Sequence, residues 1–340
     1  MRMFAKFSSL GMVLLVFVWL LGGYGQVSQS QAPCTVKLEL AHVVQQAIND
    51  AAEGAVVCLA KGTFFETLEI KKRLTLRGAG RNQTLLEPRE SNLPNQSAVL
   101  IASNPEIDVV IEDLTISRAQ VGITVKGNAK LTLNNAQVSI NTNFGLFIDN
   151  AAVVNVSNSI ISDNANVGVL VGNTARVSFQ NTQLSDNEGE GLMVWGDSAA
   201  SLTDSQVINN GHSGLQLCSP FLGDCSASLD VRGSTIAENG RNLACLGKDL
   251  LCNGIELRHQ GRLQLTDSII KDNTDWGILA FIAQCSFKPE EVQLVNFTGQ
   301  TSFSGQNTVT GNNKSGNQNG KGNPGNHPFK SLPDGQVCLP

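Results

Sequence analysis

Tyrosine is all but missing from this sequence. Tyr24 is the single one in 340 residues, and Trp19, Trp195 and Trp276 are the three tryptophans. Large flat rings supply the contact area of stacking sites, so a deep sugar-stacking groove is disfavoured. An excess of positive charge is also lacking. Lys and Arg number 24 against 29 Asp and Glu, for a net charge of −5. A basic footprint is therefore absent, which excludes nucleic acid as an expected partner. The negative balance also disfavours polyuronate substrates, unless Ca²⁺ or individual Lys and Arg residues intervene. Beyond the first 25 residues no apolar run approaches the roughly 20 residues needed to cross a bilayer. No Pro/Ser-rich linker divides the middle of the chain, so one elongated domain is expected.

Residues 1–25 read as a secretory leader. Arg2 and Lys6 precede the apolar run Leu10–Leu21, and the small-residue stretch "GGYG" follows. Cleavage is expected near Gly25, with residues 29–32 as the alternative. Loss of Arg2 and Lys6 takes the net charge from −5 to −7. The chain is thus expected to be secreted, extracellular or periplasmic, and monomeric. Its eight cysteines, Cys34, Cys58, Cys218, Cys225, Cys245, Cys252, Cys285 and Cys338, are even in number. In an exported chain that favours disulfides. Proximity suggests Cys218–Cys225 and Cys245–Cys252, leaving Cys34–Cys58 and Cys285–Cys338. The six-residue gap inside each short pair fits no common zinc pattern.

A repeat is present instead. Gly122, Gly145, Gly168, Gly191 and Gly214 are each 23 residues apart; Gly254 follows 40 later, and Gly277 after another 23. Asn141, Asn164, Asn187 and Asn210 keep the same interval, and Asn239 and Asn273 follow at 29 and 34. Both rulers therefore agree on two insertions, one around each short cysteine pair, and Asn312 is the expected next rung. Three short runs rich in Val, Ile and Leu fill each repeat, separated by Asn, Asp, Gly and Ser. Helical periodicity is absent within the repeats, as is the L-x-x-L-x-L-x-x-N phrase of leucine-rich repeats. The pattern predicts an all-β fold: a single-stranded parallel β-helix, a solenoid of 23-residue coils. Stacking would place each Asn above the last as a ladder, in a left-handed bend, and each Gly would free the backbone before the next strand.

The opening of the chain adds a resemblance. A helix-like segment, Ala41–Ala52, precedes "GAVVCLAKGTFFETLEIKKRLTLRGAGRNQTLLE", in which Gly62, Phe64 and Glu66 form a G-x-F-x-E phrase. This resembles the start of bacterial right-handed parallel β-helix repeat proteins of the pectate-lyase-like superfamily; pectin methylesterases open similarly. The resemblance implies a right-handed coil with a short N-terminal capping helix. The expected layout is an N-terminal segment and capping helix over 26–53, the β-helix over 54–313, and an Asn/Gly-rich tail over 314–340, laid loosely against the last coil. Activity does not follow. The Q-D-T-L and D-F-I-F-G phrases of pectin methylesterases and the R-x-P-x-x-R phrase of pectate lyases are missing. Asn273-Thr274-Asp275 matches one polygalacturonase phrase without its companions, at a place where every coil carries Asn.

Two rows are candidates for function. Two residues after each Gly, strand alternation points outward Thr124, Phe147, Leu170, Met193, Gln216, Glu256 and Leu279. Trp195, Arg258 and Phe281 stand beside them. An exposed patch at Phe147, Leu170 and Met193 is expected to be a docking face or to be covered by a loop. The binding face is accordingly taken as Phe147, Leu170, Met193, Trp195, Gln216, Glu256 and Arg258. Glu256, Arg258, His259 and His212 could also perform acid–base work, without a recognised motif to position them. The second row, Asp163, Asp186, Glu238 and Asp272, is expected to face solvent; the alternative is Ca²⁺ bridging turns at Asp163 and Asp186. No other cofactor is expected. The favoured function is non-catalytic binding of a polysaccharide or cell-surface component. The alternatives are a carbohydrate-active lyase, hydrolase or epimerase, and a structural envelope protein.

Overall fold

A computed structural model describes residues 32–89, 96–219, 225–246, 252–285, 292–293, 295–318, 327–329 and 331–340. The expected leader lies outside the described residues. The chain divides into two units, Met1–Pro33 and Cys34–Pro340. The second unit winds as a coil with three flat sides. Sheet I has eleven strands, from Val36–Leu38 to Gln300–Ser304; sheet II has ten, from Leu68–Ile70 to Val337–Cys338; sheet III has ten, from Gly62–Phe65 to Thr308–Thr310. In the central coils neighbouring strands pair in parallel at the repeat interval: Leu131 with Val154, Val154 with Val177, Val177 with Ala200. A slip of one residue would turn the whole apolar set outward, so the buried interior fixes this register. The insertions do not disturb it. Gln216 pairs with Glu256 across the interval of 40.

Each corner is a column of left-handed residues. Between sheets II and I it runs Gly127, Asn150, Asn173, Gly196. Between I and III it runs Asn135, Asn158, Asn181, Asp204, Gly233, Asp267. Between III and II it runs Ile140, Asp163, Asp186, Asn209, Glu238, Asp272. Here φ lies between +46° and +74°. Asn, Asp and Gly tolerate that region best, which accounts for the composition of the turns. The last column corrects one expectation: the bend belongs to the residue before each ladder Asn. The acidic row is thus a row of corner residues.

The ladder itself is buried and continuous. Each Nδ2 of Asn141, Asn164, Asn187, Asn210, Asn239 and Asn273 donates to Oδ1 of the next Asn at 2.8–2.9 Å. The same oxygen accepts the backbone N–H of the preceding rung, as at Asn164 to Asn187 (3.2 Å). Asn312 ends the series on Gln336 Oε1 at 2.9 Å, so the tail supplies the last rung. The glycines have a different role from the one expected. None of Gly145, Gly168 or Gly191 has positive φ. Instead, a Cβ on Gly168 would stand 2.7 Å from Asn187 Nδ2 and 2.7 Å from the Gly191 carbonyl. Glycine is required so that one coil can seat the amide of the next. A second ladder of hydroxyls follows the I–III corner: Thr182 N–H donates to Ser205 Oγ, Ser205 N–H to Ser234 Oγ, and Ser234 N–H to Ser268 Oγ, at 3.0–3.2 Å.

The capping helix is Val44–Asp50, shorter than its sequence signal. Its N-cap residue Val43 has no capping side chain. The first-turn amides of Val44 and Gln45 instead donate to the Glu66 carboxylate at 2.8 and 3.0 Å, which gives the phrase Gly62–Phe64–Glu66 its purpose. All four expected disulfides form: Cys34–Cys58, Cys218–Cys225, Cys245–Cys252 and Cys285–Cys338.

Two substitutions test these roles. Gly168→Ala forces a methyl group onto backbone and ladder, and should cost about 1–3 kcal/mol, read as a lowered unfolding midpoint. Ile140 is a β-branched, exposed residue at φ +57°. Ile140→Asn should stabilise by about 1 kcal/mol in the same melts, since the left-handed region costs an ordinary L-residue roughly that much.

Candidate functional site

The outer face of sheet II carries the predicted row, in register. Thr124 pairs with Phe147, Phe147 with Leu170, Leu170 with Met193, Met193 with Gln216, and Glu256 with Leu279. Alternation is as expected, because Leu192 and Val194 are fully buried around Met193. Exposure is not. Phe147, Leu170 and Met193 are half-buried, and Gln216, Glu256 and Leu279 are buried. Trp195 is also half-buried. Its ring lies across Gly172, where a Cβ would come within 2.5 Å of it, so it packs down on the preceding coil.

The C-terminal half of the face is closed by a polar network. Glu256 accepts from Ser213 Oγ (3.2 Å), Gln216 Nε2 (2.9 Å), Asn253 Nδ2 (3.0 Å) and Arg258 Nε (2.7 Å). The Phe281 ring covers the Arg258 guanidinium at 3.7 Å. Phe297 N–H donates to Phe281 O, and Thr298 N–H to His259 O at 2.7 Å, so the segment after Cys285 returns onto this corner. A buried carboxylate with this many donors and its own guanidinium is a satisfied structural pair, not a free acid. His259 does not join it as an acid–base partner.

The N-terminal half is open. A groove of ≈ 910 Å³ runs from the capping helix across four strands of sheet II, lined by Gln45, Gln96, Gln120, Asn143, Phe144 and Phe147 among others. Among the described residues Gln96 Oε1 is buried without a hydrogen-bond partner. The Phe144 and Phe147 rings are 6.1 Å apart, and Lys126 Nζ stands 4.9 Å from the Phe147 centroid. Gln120 and Asn143 are each two residues before a ruler glycine, on a column that continues through Asn166 and Gly189 to His212. Backbone bonds join it: Asn143 N–H to Gln120 O, Asn166 N–H to Asn143 O, Gly189 N–H to Asn166 O, and His212 N–H to Gly189 O. Apolar patterning does not single out this amide column, although the same glycine ruler locates it.

His212 sits at the other end of that column. Its Nδ1 is 3.5 Å from Glu190 Oε1, and that carboxylate, with lesser help from Glu256 and Glu188, raises the imidazole above its ordinary value of 6.5. Asp163 and Asp186 stand one coil apart at their corner. Asp186 accepts from Asn209 Nδ2, and Asp163 from Ser162 Oγ at 2.6 Å. Among the described residues no three His, Cys, Asp or Glu side chains gather as a metal site.

Residues 97–249 match the family model described as a right handed beta helix region. The coils have the fold that this model describes, a parallel β-helix of three sheets. The β-helix is similar to the periplasmic alginate epimerase AlgG, with a TM-score of 0.51 and 11% identity, over 82% of this chain and 78% of that one. Pectate lyase Pel9A gives 0.46 and 17%, over 78% and 64%, and pectin methylesterase from carrot 0.48 and 14%, over 84% and 85%. The β-helix thus spans about 64% of the pectate lyase's length. At these identities the likeness is one of fold. No curated protein matches the sequence. Among the described residues no helix is long and apolar enough to cross a membrane.

The Glu190–His212 pair gives a signed prediction. An imidazole raised in the folded state adds stability that is fully present below its ordinary value and fades as pH rises through the raised one. Glu190→Gln should therefore lower the unfolding midpoint around pH 5 and leave it nearly unchanged around pH 9.

Proposed function

We propose that this β-helix is an exported polysaccharide-binding protein whose ligand lies along the open half of sheet II. The observation that carries the reading is the groove of ≈ 910 Å³ in which stacked amides run beside two phenylalanine rings. Successive coils repeat at ~4.8 Å. A face that presents one amide per coil therefore suits a polymer whose polar groups also recur. Buried amide atoms without partners among the described residues, such as Gln96 Oε1, are the groups a hydroxyl-rich ligand satisfies. The apolar row from Phe147 to Met193 supplies contact area without deep stacking, in keeping with the shortage of Tyr and Trp. Four disulfides support an oxidising compartment.

A second reading has one observation in its favour. Glu190 and His212 form an acid–base pair at the margin of the same face, and the fold is shared with a solved alginate epimerase. A glycan array followed by a reducing-end assay on the hits separates the two. Binding without release supports the module; release that disappears in His212→Ala supports an enzyme. For either, Gln120→Ala and Phe147→Ala should each weaken the array hits by about tenfold with an unchanged melt, because each removes a groove contact. Unaltered binding by both variants would move the ligand off this face.

A further inference from the structure

The outer face of sheet I holds a second groove, of ≈ 900 Å³, lined by Arg176, Ser178, Ser201, Ser228, Asp230 and Arg262 among others. Two arginines and one aspartate are its charged residues. On the same sheet, Arg77 pairs with Glu112 (2.6 Å), Lys130 with Glu106 (2.6 Å) and Arg232 with Asp230 (2.7 Å). Arg232 thereby neutralises the groove's Asp230. Among the described residues the guanidinium groups of Arg176 and Arg262 have neither ion-pair nor hydrogen-bond partner, and both residues are exposed. Pro340 also borders the groove. Two unpaired positive charges thus share one groove on a chain of net charge −5.

Their positions are fixed by register. Arg176 pairs with Ala199, Ala199 with Ser228, and Ser228 with Arg262. The two arginines are therefore three strand steps apart on one column, or roughly 14 Å between Cα atoms. Between them lie only small side chains, and among the described residues the Ser201 and Ser228 hydroxyls make no hydrogen bond to the protein. The floor is low, with one long basic residue at either end of it. We infer that this groove is a binding site for a tetrahedral oxyanion ester, a sulfate or phosphate group held between Arg176 and Arg262.

The geometry favours that class over a carboxylate. A planar carboxylate is satisfied by one guanidinium fork. A tetrahedral ester has three outer oxygens, enough to accept from two forks and a serine hydroxyl together. The absence of aromatic side chains from the groove lining argues against base stacking, and hence against a nucleic acid strand.

Titration calorimetry of the full chain with glucose 6-sulfate, glucose 6-phosphate, glucuronate and glucose tests the site. Binding of the sulfate or phosphate ester, with glucuronate at least about tenfold weaker and glucose silent, is expected; the stronger ester identifies the source of the oxyanion. Arg176→Ala and Arg262→Ala should each weaken the ester by about tenfold or more, and Arg176→Lys should recover only part of the loss. Both positions are exposed, so unchanged melts will show that the fold is intact. Failure of both esters to bind, equal affinity for glucuronate, or full affinity in R176A/R262A would overturn the assignment. The sheet II groove shares no lining residue with this one, so its glycan binding stands or falls separately.

Discussion

The structure depends on one contact, between a glycine in each coil and the asparagine amide of the next. The absent Cβ of Gly168 leaves room for Asn187, and Asn187 in turn holds the backbone N–H and the amide of Asn164. An ungapped stack of buried amides is stable only if every rung is satisfied, since an orphaned buried donor costs about 1–3 kcal/mol. Each coil therefore dictates two residues of its successor, and the solenoid propagates its own sequence rule. Termination needs an equivalent acceptor, and Gln336 provides one from a segment with no repeat of its own.

Because each rung is a local contact, insertions around Cys218–Cys225 and Cys245–Cys252 leave the rungs on either side in place. The 17 extra residues between Gly214 and Gly254 leave every strand pairing in register. A long unanchored loop adds ordering entropy. Cys218–Cys225 and Cys245–Cys252 close these two excursions at their bases, and Cys285–Cys338 ties the returning segment to the last coil.

This division decides what is legible in the sequence. Gly, Asn and the apolar columns are set by neighbours a constant interval away, so periodicity reveals the coil, the rungs to Asn312 and the outward direction of Met193. The same periodicity says nothing about cover. Glu256 and Leu279 point outward and are nonetheless buried, beside Arg258, the Phe281 ring on it, and the segment whose Phe297 N–H bonds to Phe281 O. Nor can spacing tell which member of a turn is left-handed. Asp163 and Asn164 are adjacent, both suit a bend, and only the backbone assigns φ +56° to the first. The hydroxyl ladder leaves a faint trace, one small residue per coil, without the bulk contrast that marks a core position.

Outward columns have no such obligations, and that is where specificity can be built. An inward position must fill volume against fixed neighbours, whereas an outward one must only avoid like charge one strand away. The outward columns here are far from random. Sheet II presents amides beside phenylalanines in its first coils and then uses a carboxylate, a guanidinium and a ring to close itself. Sheet I pairs three of its basic residues and leaves Arg176 and Arg262 unpaired at either end of a low floor. Stacking explains neither choice, since serine or threonine at those positions would serve the coil equally. The residues that the fold does not require are thus concentrated on two faces with different chemistry, one suited to hydroxyl-rich polymer and one to a compact anion. A β-helix can hold both because its interior keeps the same register under either face.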